Sequence, residues 1–513
     1  MSRSTSSTTR RWTVLVFGYL LLISILVSCG LQPAGSISQS IDQTPTTLSI
    51  QATFTTQPAN PEAQNPPSQA LDTNGTQIAM SAQGTQEAKQ TAQMSDQATQ
   101  NAPQPASQVT PTLAPPEQNL IDIGIKAGTI RQAVDINKLV FETRENLNKR
   151  GEKIVFARDP ATNQIILATR VDPKTKEMVW NVVGLRDFAD ALGFRIGTQV
   201  SNPYYNSGSR SSIDAVVVQN FNTAVLEQTS FHQTEKTQGA FTFRPADDAV
   251  RLAQRHNMFI DGNSLVYGRS NFKYTFLKDL KNPTREQLIA IIQKHITEVM
   301  THYKGKINTY TVTNESQPPT QLEQNTTTPY DPYWAVIGPY YVDIAFQTAR
   351  STDPSAMLIY NETRNETKKK RNYELTKTIV DRLKAKGLID GVGIQMHLDG
   401  ANPPSKAELI AAMQSYGIPV FITEFDVDMS KVEGTDAEKY QKQADVFRIV
   451  TQAFLESKVC VYLGFWDVND ANSWLVRSGG DPKAMPTMFD NDLHPKPAFF
   501  AVEEELQKAL DSK

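Results

Sequence analysis

From Leu185 onward, apolar runs rich in Val, Ile, Phe and Thr alternate with longer stretches whose apolar positions recur at helical spacing. The runs are Phe194 to Val200, Ala224 to Thr229, Met258 to Val266, Ile307 to Thr313, Met357 to Tyr360, Gly391 to Leu398, Val420 to Phe425 and Val459 to Trp466. Runs that are apolar on both faces suit a parallel sheet covered by helices. Eight strand-and-helix units over about 325 residues predict an α/β fold, a closed (β/α)8 TIM barrel over 185–513, in preference to an open doubly wound sheet. No glycine-rich phosphate loop follows the first run, which also argues against a nucleotide fold.

Upstream the pattern changes. Residues 119–184 predict a small α+β extension: a short strand, an amphipathic helix from about Thr129 to Lys149, then a β-meander of Lys153 to Ala157, Ile165 to Thr169 and Met178 to Trp180. Three such strands are not stable alone, so the extension is expected to pack on the barrel. Over 30–118, Ser, Thr, Gln, Ala, Pro and Asn dominate, and no aromatic follows Phe54. Burial there cannot offset the entropy of ordering, which predicts a disordered tether.

Residues 1–29 carry Arg3, Arg10 and Arg11 ahead of an apolar core from Trp12 to Val27, the layout of an export signal. Leu26-Val27-Ser28-Cys29 resembles a bacterial lipobox, which implies cleavage before Cys29, lipid on its thiol, and a body held outside the cytoplasm at a membrane. The net charge of −3 and pI near 6.1 give no basic field for nucleic acid. A neutral substrate and a monomer are the expectation. Cys460 is the one other cysteine and reads as a buried apolar residue, and the six histidines are scattered, so neither a metal nor another cofactor is expected.

The candidate chemistry lies in two glutamates. Glu315 closes the run from Ile307 to Asn314, and Glu424 lies within Val420 to Asp426. Carboxylates where buried strands meet loops are costly, and for either alone an isolated charged strand end is the ordinary explanation. A pair of them is the equipment for cleaving a glycosidic bond. Their places, at the C-terminal ends of strands four and seven, are where such barrels carry chemistry.

The surrounding residues resemble glycoside hydrolase family 10, the xylanase-type retaining enzymes, from Leu185 to about Gln507. Val312-Thr313-Asn314-Glu315 is similar to the family's acid/base strand with its Asn-Glu pair. Gly391-Val392-Gly393-Ile394-Gln395-Met396-His397 resembles its Gly-x-Gly-x-Gln-x-His strand, and Ile422-Thr423-Glu424-Phe425-Asp426 its nucleophile strand. Trp466-Asp467-Val468-Asn469-Asp470 with Ser473-Trp474 is similar to the closing strand and loop. The resemblance implies Glu315 as general acid and base, Glu424 as nucleophile, His397 and Gln395 as groups that orient it, Asn314 on a sugar hydroxyl, and Trp466 and Trp474 as apolar faces for sugar rings. It implies internal cleavage of a β-1,4-linked, xylan-like polysaccharide.

The sugar-binding wall departs from the family pattern. Glu-Asn-x-x-Lys reads Glu227-Gln228-Thr229-Ser230-Phe231 here, with a lysine become phenylalanine. Asp261-Gly262-Asn263-Ser264-Leu265-Val266-Tyr267-Gly268 lacks both histidines and the tryptophan of the corresponding run, and Asn-Asp-Tyr-Asn reads Asn361-Glu362-Thr363-Arg364. Gln228, Asn263 and Tyr267 are then the wall's candidate sugar contacts. Losing a charged donor to a sugar hydroxyl costs about 1.5–3 kcal/mol of binding. Two other readings therefore stand beside the xylanase-like one: a surface glycan-binding lipoprotein with little hydrolysis, and a barrel glycosidase for a different β-glycan. Lys368-Lys369-Lys370-Arg371 reads as a solvated helix face.

Overall fold

The computed structural model describes residues 113–200, 210–318 and 331–513. The expected export signal, Cys29 and nearly all of the tether lie outside those residues.

The extension begins with helix α1, Gln118–Lys126, not a strand. Strands β1 (Val140–Glu145), β2 (Lys153–Arg158), β3 (Ile165–Val171) and β4 (Met178–Val182) follow as one antiparallel sheet in that order. The helix expected over Thr129 to Lys149 is absent: that segment holds a short 3-10 turn, Ile136–Lys138, and then β1. The reason is non-local, because β1 pairs residue for residue with β2 from Val140↔Arg158 to Glu145↔Lys153. One layer of the extension buries Ile121, Ile130, Val134 and Leu139 against Ala157, Ile166 and Leu167. Ile154, Phe156, Ile165 and Ala168 join the core of the barrel itself.

Helix α2 (Leu185–Leu192) leads into the barrel. Arg170 reaches it with a fork of two bonds to Asp187, both 2.7 Å. Asn148 Nδ2 donates to the Phe194 carbonyl at 2.7 Å, beside the start of the first barrel strand. The extension therefore sits at the N-terminal pole of the barrel, away from the strand ends where barrel chemistry occurs.

The barrel strands are β5 (Arg195–Gln199), β6 (Thr223–Leu226), β7 (Phe259–Val266), β8 (Thr309–Asn314), β9 (Met357–Glu362), β10 (Gly391–Ile394) with its continuation β11 (His397–Asp399), β12 (Val420–Asp428) and β13 (Cys460–Phe465). Every neighbour is parallel, β13 pairs with β5, and β10 pairs with β12, which closes the cylinder. All eight expected runs are strands. The second is shorter than expected, because Glu227–Thr229 turns off as a 3-10 helix, and the sixth breaks at Gln395 and Met396. Cys460 is half-buried, and burial still pushes its thiol up to about 12.

Alternation divides each strand between two layers. Tyr310 and Val312 of β8, and Val392 and Ile394 of β10, pack outward under the helices, while Val225, Ile359, Phe421, Tyr462 and Trp466 fill the lumen. The pairing register slips between Ile422 and Phe425 in β12, and between Thr311 and Thr313 in β8. Such bulges re-aim side chains. In β12 both Thr423 and Glu424 consequently reach the same inward-facing residue, Asn361.

Candidate active site

Above the lumen, at the C-terminal ends of the strands, lies a cavity of about 510 Å³ lined by both Glu315 and Glu424. Glu315 follows β8 directly with φ of 51, in the left-handed region, and its N–H donates to the Asn361 carbonyl at 3.1 Å. A non-glycine residue there carries roughly 1–2 kcal/mol of strain, offset by the packed strand ends that hold it. Glu424 is 5 % exposed, and its N–H donates to the Gln395 carbonyl at 3.0 Å.

Two amides tie the carboxylates together. Gln395 Nε2 donates to Glu315 Oε1 at 3.0 Å and to Asn314 Oδ1 at 3.3 Å. Asn361 Nδ2 donates to that same Asn314 oxygen at 2.9 Å and to Glu424 Oε1 at 2.6 Å. Asn361 Oδ1 in turn accepts from Thr423 at 2.7 Å, so every amide orientation is fixed by a partner. Asn314 lines the cavity with its oxygen held by two donors, which leaves its NH2 for other partners. Gly393, from the Gly-x-Gly of β10, is needed here, since a Cβ at that position would collide with Asn361 Oδ1.

His397 Nε2 meets Glu424 Oε2 at 3.3 Å, and its Nδ1 meets Asp426 Oδ1 at 2.8 Å. Burial alone would lower the basicity of this imidazole, but the charges and hydrogen bonds of Asp426 and Glu424 outweigh it and raise the pKa well above the ordinary value. His397 is then an imidazolium that donates from both nitrogens. Trp474 Nε1 donates to Asp426 Oδ2 at 2.8 Å, extending the chain to the surface, where the indole is 45 % exposed. Both oxygens of Glu424 accept hydrogen bonds, one from a cation. That arrangement fits a carboxylate.

Tyr267 donates to Glu315 Oε2 at 3.1 Å. Behind Glu315 lies Glu362, fully buried, accepting from Tyr360 at 2.9 Å. Burial, and then the charge of Glu315, push the Glu362 carboxyl up to about 8. At neutral pH it is a neutral acid.

Asn314, Asn263, Tyr267, Gln395, His397, Trp466 and Trp474 all line the cavity with the two glutamates. Gln228 does not: it is buried and donates to the Val200 carbonyl at 2.9 Å, and the turn after β6 presents Glu227 to the cavity instead. Burial first, and then the charges of Asp467 and Glu424, push the Glu227 carboxyl up to about 7 against the pull of Arg477. Asn361, Glu362 and Asp426 stand inside runs quoted from the sequence but carry no role there. Arg269, Arg364, Arg371 and Arg477 also line the cavity. The basic run ending at Arg371 lies in the turns before the next helix (Tyr373–Ala385), not on a helix face.

A (β/α)8 barrel with two carboxylates bonded into one network at its C-terminal mouth defines the chain as a glycosidase-type barrel. Residues 184–505 match glycosyl hydrolase family 10, and the chain belongs to that family. It is a glycoside hydrolase of the xylanase-like, retaining kind. It is 27% identical over 337 residues to endo-1,4-beta-xylanase B of Thermotoga neapolitana, covering 64% of this chain and 94% of that protein. It is 31% identical over 326 residues to endo-1,4-beta-xylanase D of Talaromyces funiculosus, covering 62% and 75%. Among solved structures it is similar to xylanase 10B from Thermotoga petrophila RKU-1 in complex with xylobiose, with a TM-score of 0.57, 26% identity, and coverage of 64% of this chain and 98% of that one.

Proposed function

We propose that the chain cleaves internal β-1,4 linkages of a xylan-like polysaccharide by double displacement, with Glu424 as nucleophile and Glu315 as acid and base. The observation that carries this is the shared amide network, which joins the two carboxylates through Gln395, Asn314 and Asn361. In the first step a Glu424 oxygen bonds to the anomeric carbon while Glu315 gives its proton to the departing glycosidic oxygen. The carbon–oxygen bond breaks and a glycosyl ester remains. In the second step Glu315 takes a proton from water, the water oxygen bonds to the anomeric carbon, and the ester bond to Glu424 breaks. Two inversions leave the configuration retained. His397 and Asn361 hold Glu424 aimed, and the Asn314 NH2 is placed to bond a hydroxyl of the sugar being cut. The xylan-like substrate is taken from the relatives' names and the xylobiose in a solved relative. The leader sequence supports a body outside the cytoplasm, tethered through lipid on Cys29.

One observation favours a second reading, a glycan-binding protein with little hydrolysis. Phe231 stands where the family resemblance places a lysine, and it lies fully buried against His295 with ring centroids 3.5 Å apart. No cation grips the sugar from that position. Assaying the full chain and Glu424→Gln on β-linked oligosaccharides separates the two. Turnover by the wild type that the variant abolishes supports the hydrolase, and equal binding without turnover in both supports the second reading.

A further inference from the structure

The whole chain carries a net charge of −3, yet among the described residues the cavity wall, apart from the paired glutamates, holds Arg269, Arg364, Arg371 and Arg477 against the carboxylate of Glu227, with Arg477 also 3.9 Å from Asp467. The positive charge is concentrated at the site, against the sign of the molecule. Burial favours the neutral form of Glu227, which weakens its opposing charge.

Two of these arginines are placed as a pair. The loop after β9 is closed by Asn372, whose N–H donates to the Arg364 carbonyl at 3.1 Å and whose Nδ2 donates to the Thr363 carbonyl at 2.8 Å. Arg371 adjoins Asn372 in sequence, so this closure brings its backbone near that of Arg364, and both side chains line the cavity. Arg364 takes φ of 53, a conformation that suits glycine or asparagine better than a long side chain. The neighbouring lysines are engaged elsewhere, Lys369 with Glu408 at 2.8 Å and Lys370 with Glu366 at 2.7 Å. Among the described residues neither Arg364 nor Arg371 is in an ion pair, and both side chains are exposed at the cavity.

Resting on the glycosidase reading above, we propose that the cavity selects glycans that bear carboxylate side branches, such as a uronic acid, and that Arg364 and Arg371 form the clamp for that carboxylate. A neutral chain gives two guanidiniums on one cavity wall nothing to neutralise them. A carboxylate matches the planar N–H fork with two parallel charge-assisted bonds. Arg269 and Arg477 extend the positive rim around the mouth. This proposed substrate departs from the neutral one expected from the whole-chain charge.

The test uses the full chain with xylohexaose and the same chain carrying one glucuronic acid branch. The expected result is a kcat/KM about tenfold higher for the acidic chain at low ionic strength. That preference should fall as salt is added, because the clamp is exposed and screened. It should collapse toward parity in Arg364→Ala/Arg371→Ala and be partly restored in the double lysine variant. Equal use of both chains by the wild type, or a ratio unchanged in the alanine variant, overturns the proposal. Calorimetric binding to Glu424→Gln separates it from the hydrolase reading: tighter binding of the acidic chain supports the clamp even where the wild type turns over neither chain. No preference in binding and no turnover overturns both. A sulfated xylohexaose bound as tightly as the uronate overturns the assignment to carboxylates.

Discussion

The floor and the rim of the cavity are built on different terms. On the floor, Glu315, Glu424, Asn314, Asn361, Gln395 and His397 satisfy one another through bonds of 2.6–3.3 Å. Changing one of them strands a buried polar partner, at a cost of about 1–3 kcal/mol. On the rim, Arg364, Arg371 and Trp474 are exposed at the cavity, with Trp474 joined to the floor through Asp426. The floor therefore holds the reaction fixed, while the rim is free to change what is bound. This accounts for a chain that keeps the family's acid pair and replaces much of its sugar-binding wall.

The comparison breaks most readily at the floor. Glu424→Gln should lower kcat by about ten-thousandfold or more with folding intact, read by steady-state rates and circular dichroism. Glu315→Ala should cost about a hundred- to ten-thousandfold on natural glycosides, and far less on aryl glycosides whose leaving group departs without a proton. Equal losses on both substrates would remove Glu315 from the acid role. Asn361→Ala takes away the donor shared by Asn314 and Glu424, with an expected loss of about a hundredfold, mostly in kcat, since it acts by positioning.

Stability offers a sharper contrast. The folded state holds the Glu362 proton up to about pH 8, whereas the unfolded chain releases it near the ordinary value of 4.5. The unfolded state thus binds fewer protons between those values, and stability falls as pH rises through that window. Glu362→Gln should flatten this dependence by about 3 kcal/mol between pH 5.5 and 8.5 in denaturant titrations. A rim variant such as Arg371→Ala should leave the dependence as it is. The smallest effect belongs to Trp474→Phe, which keeps an aromatic face but drops the N–H to Asp426: a few-fold loss in kcat/KM, on the order of 1 kcal/mol.

The barrel was legible because its strands are buried on both faces, so each apolar run declares itself locally. The acid pair was legible because Glu315 ends one of those runs and Glu424 lies near the end of another. The extension was misread where tertiary pairing overrode local pattern. Ile121, Ile123 and Ile125 alternate as a strand does, yet they lie on helix α1, where Ile121 is buried and Ile123 and Ile125 are 55% and 42% exposed. Strand β1 carries Glu142, Arg144 and Glu145 on an edge whose partner lies beyond a turn, so its charges read as a helix surface. In the site, Gln228 and Glu227 exchanged places because a 3-10 turn ends β6 three residues earlier than the expected run. Arg364 and Arg371 stand in runs read for other reasons, because a loop closed by Asn372, not sequence spacing, brings both to the cavity.

The central claim is that Glu424 and Glu315 share one sugar, the first attacking carbon and the second handling the proton. Proton NMR of the earliest products from a β-linked xylo-oligosaccharide tests it most directly. The account predicts that the β-anomer appears first and mutarotates later, with a glycosyl ester on the Glu424 peptide when a slow 2-fluoro substrate is used. An α-anomer formed first, or an ester found on another residue, would contradict it.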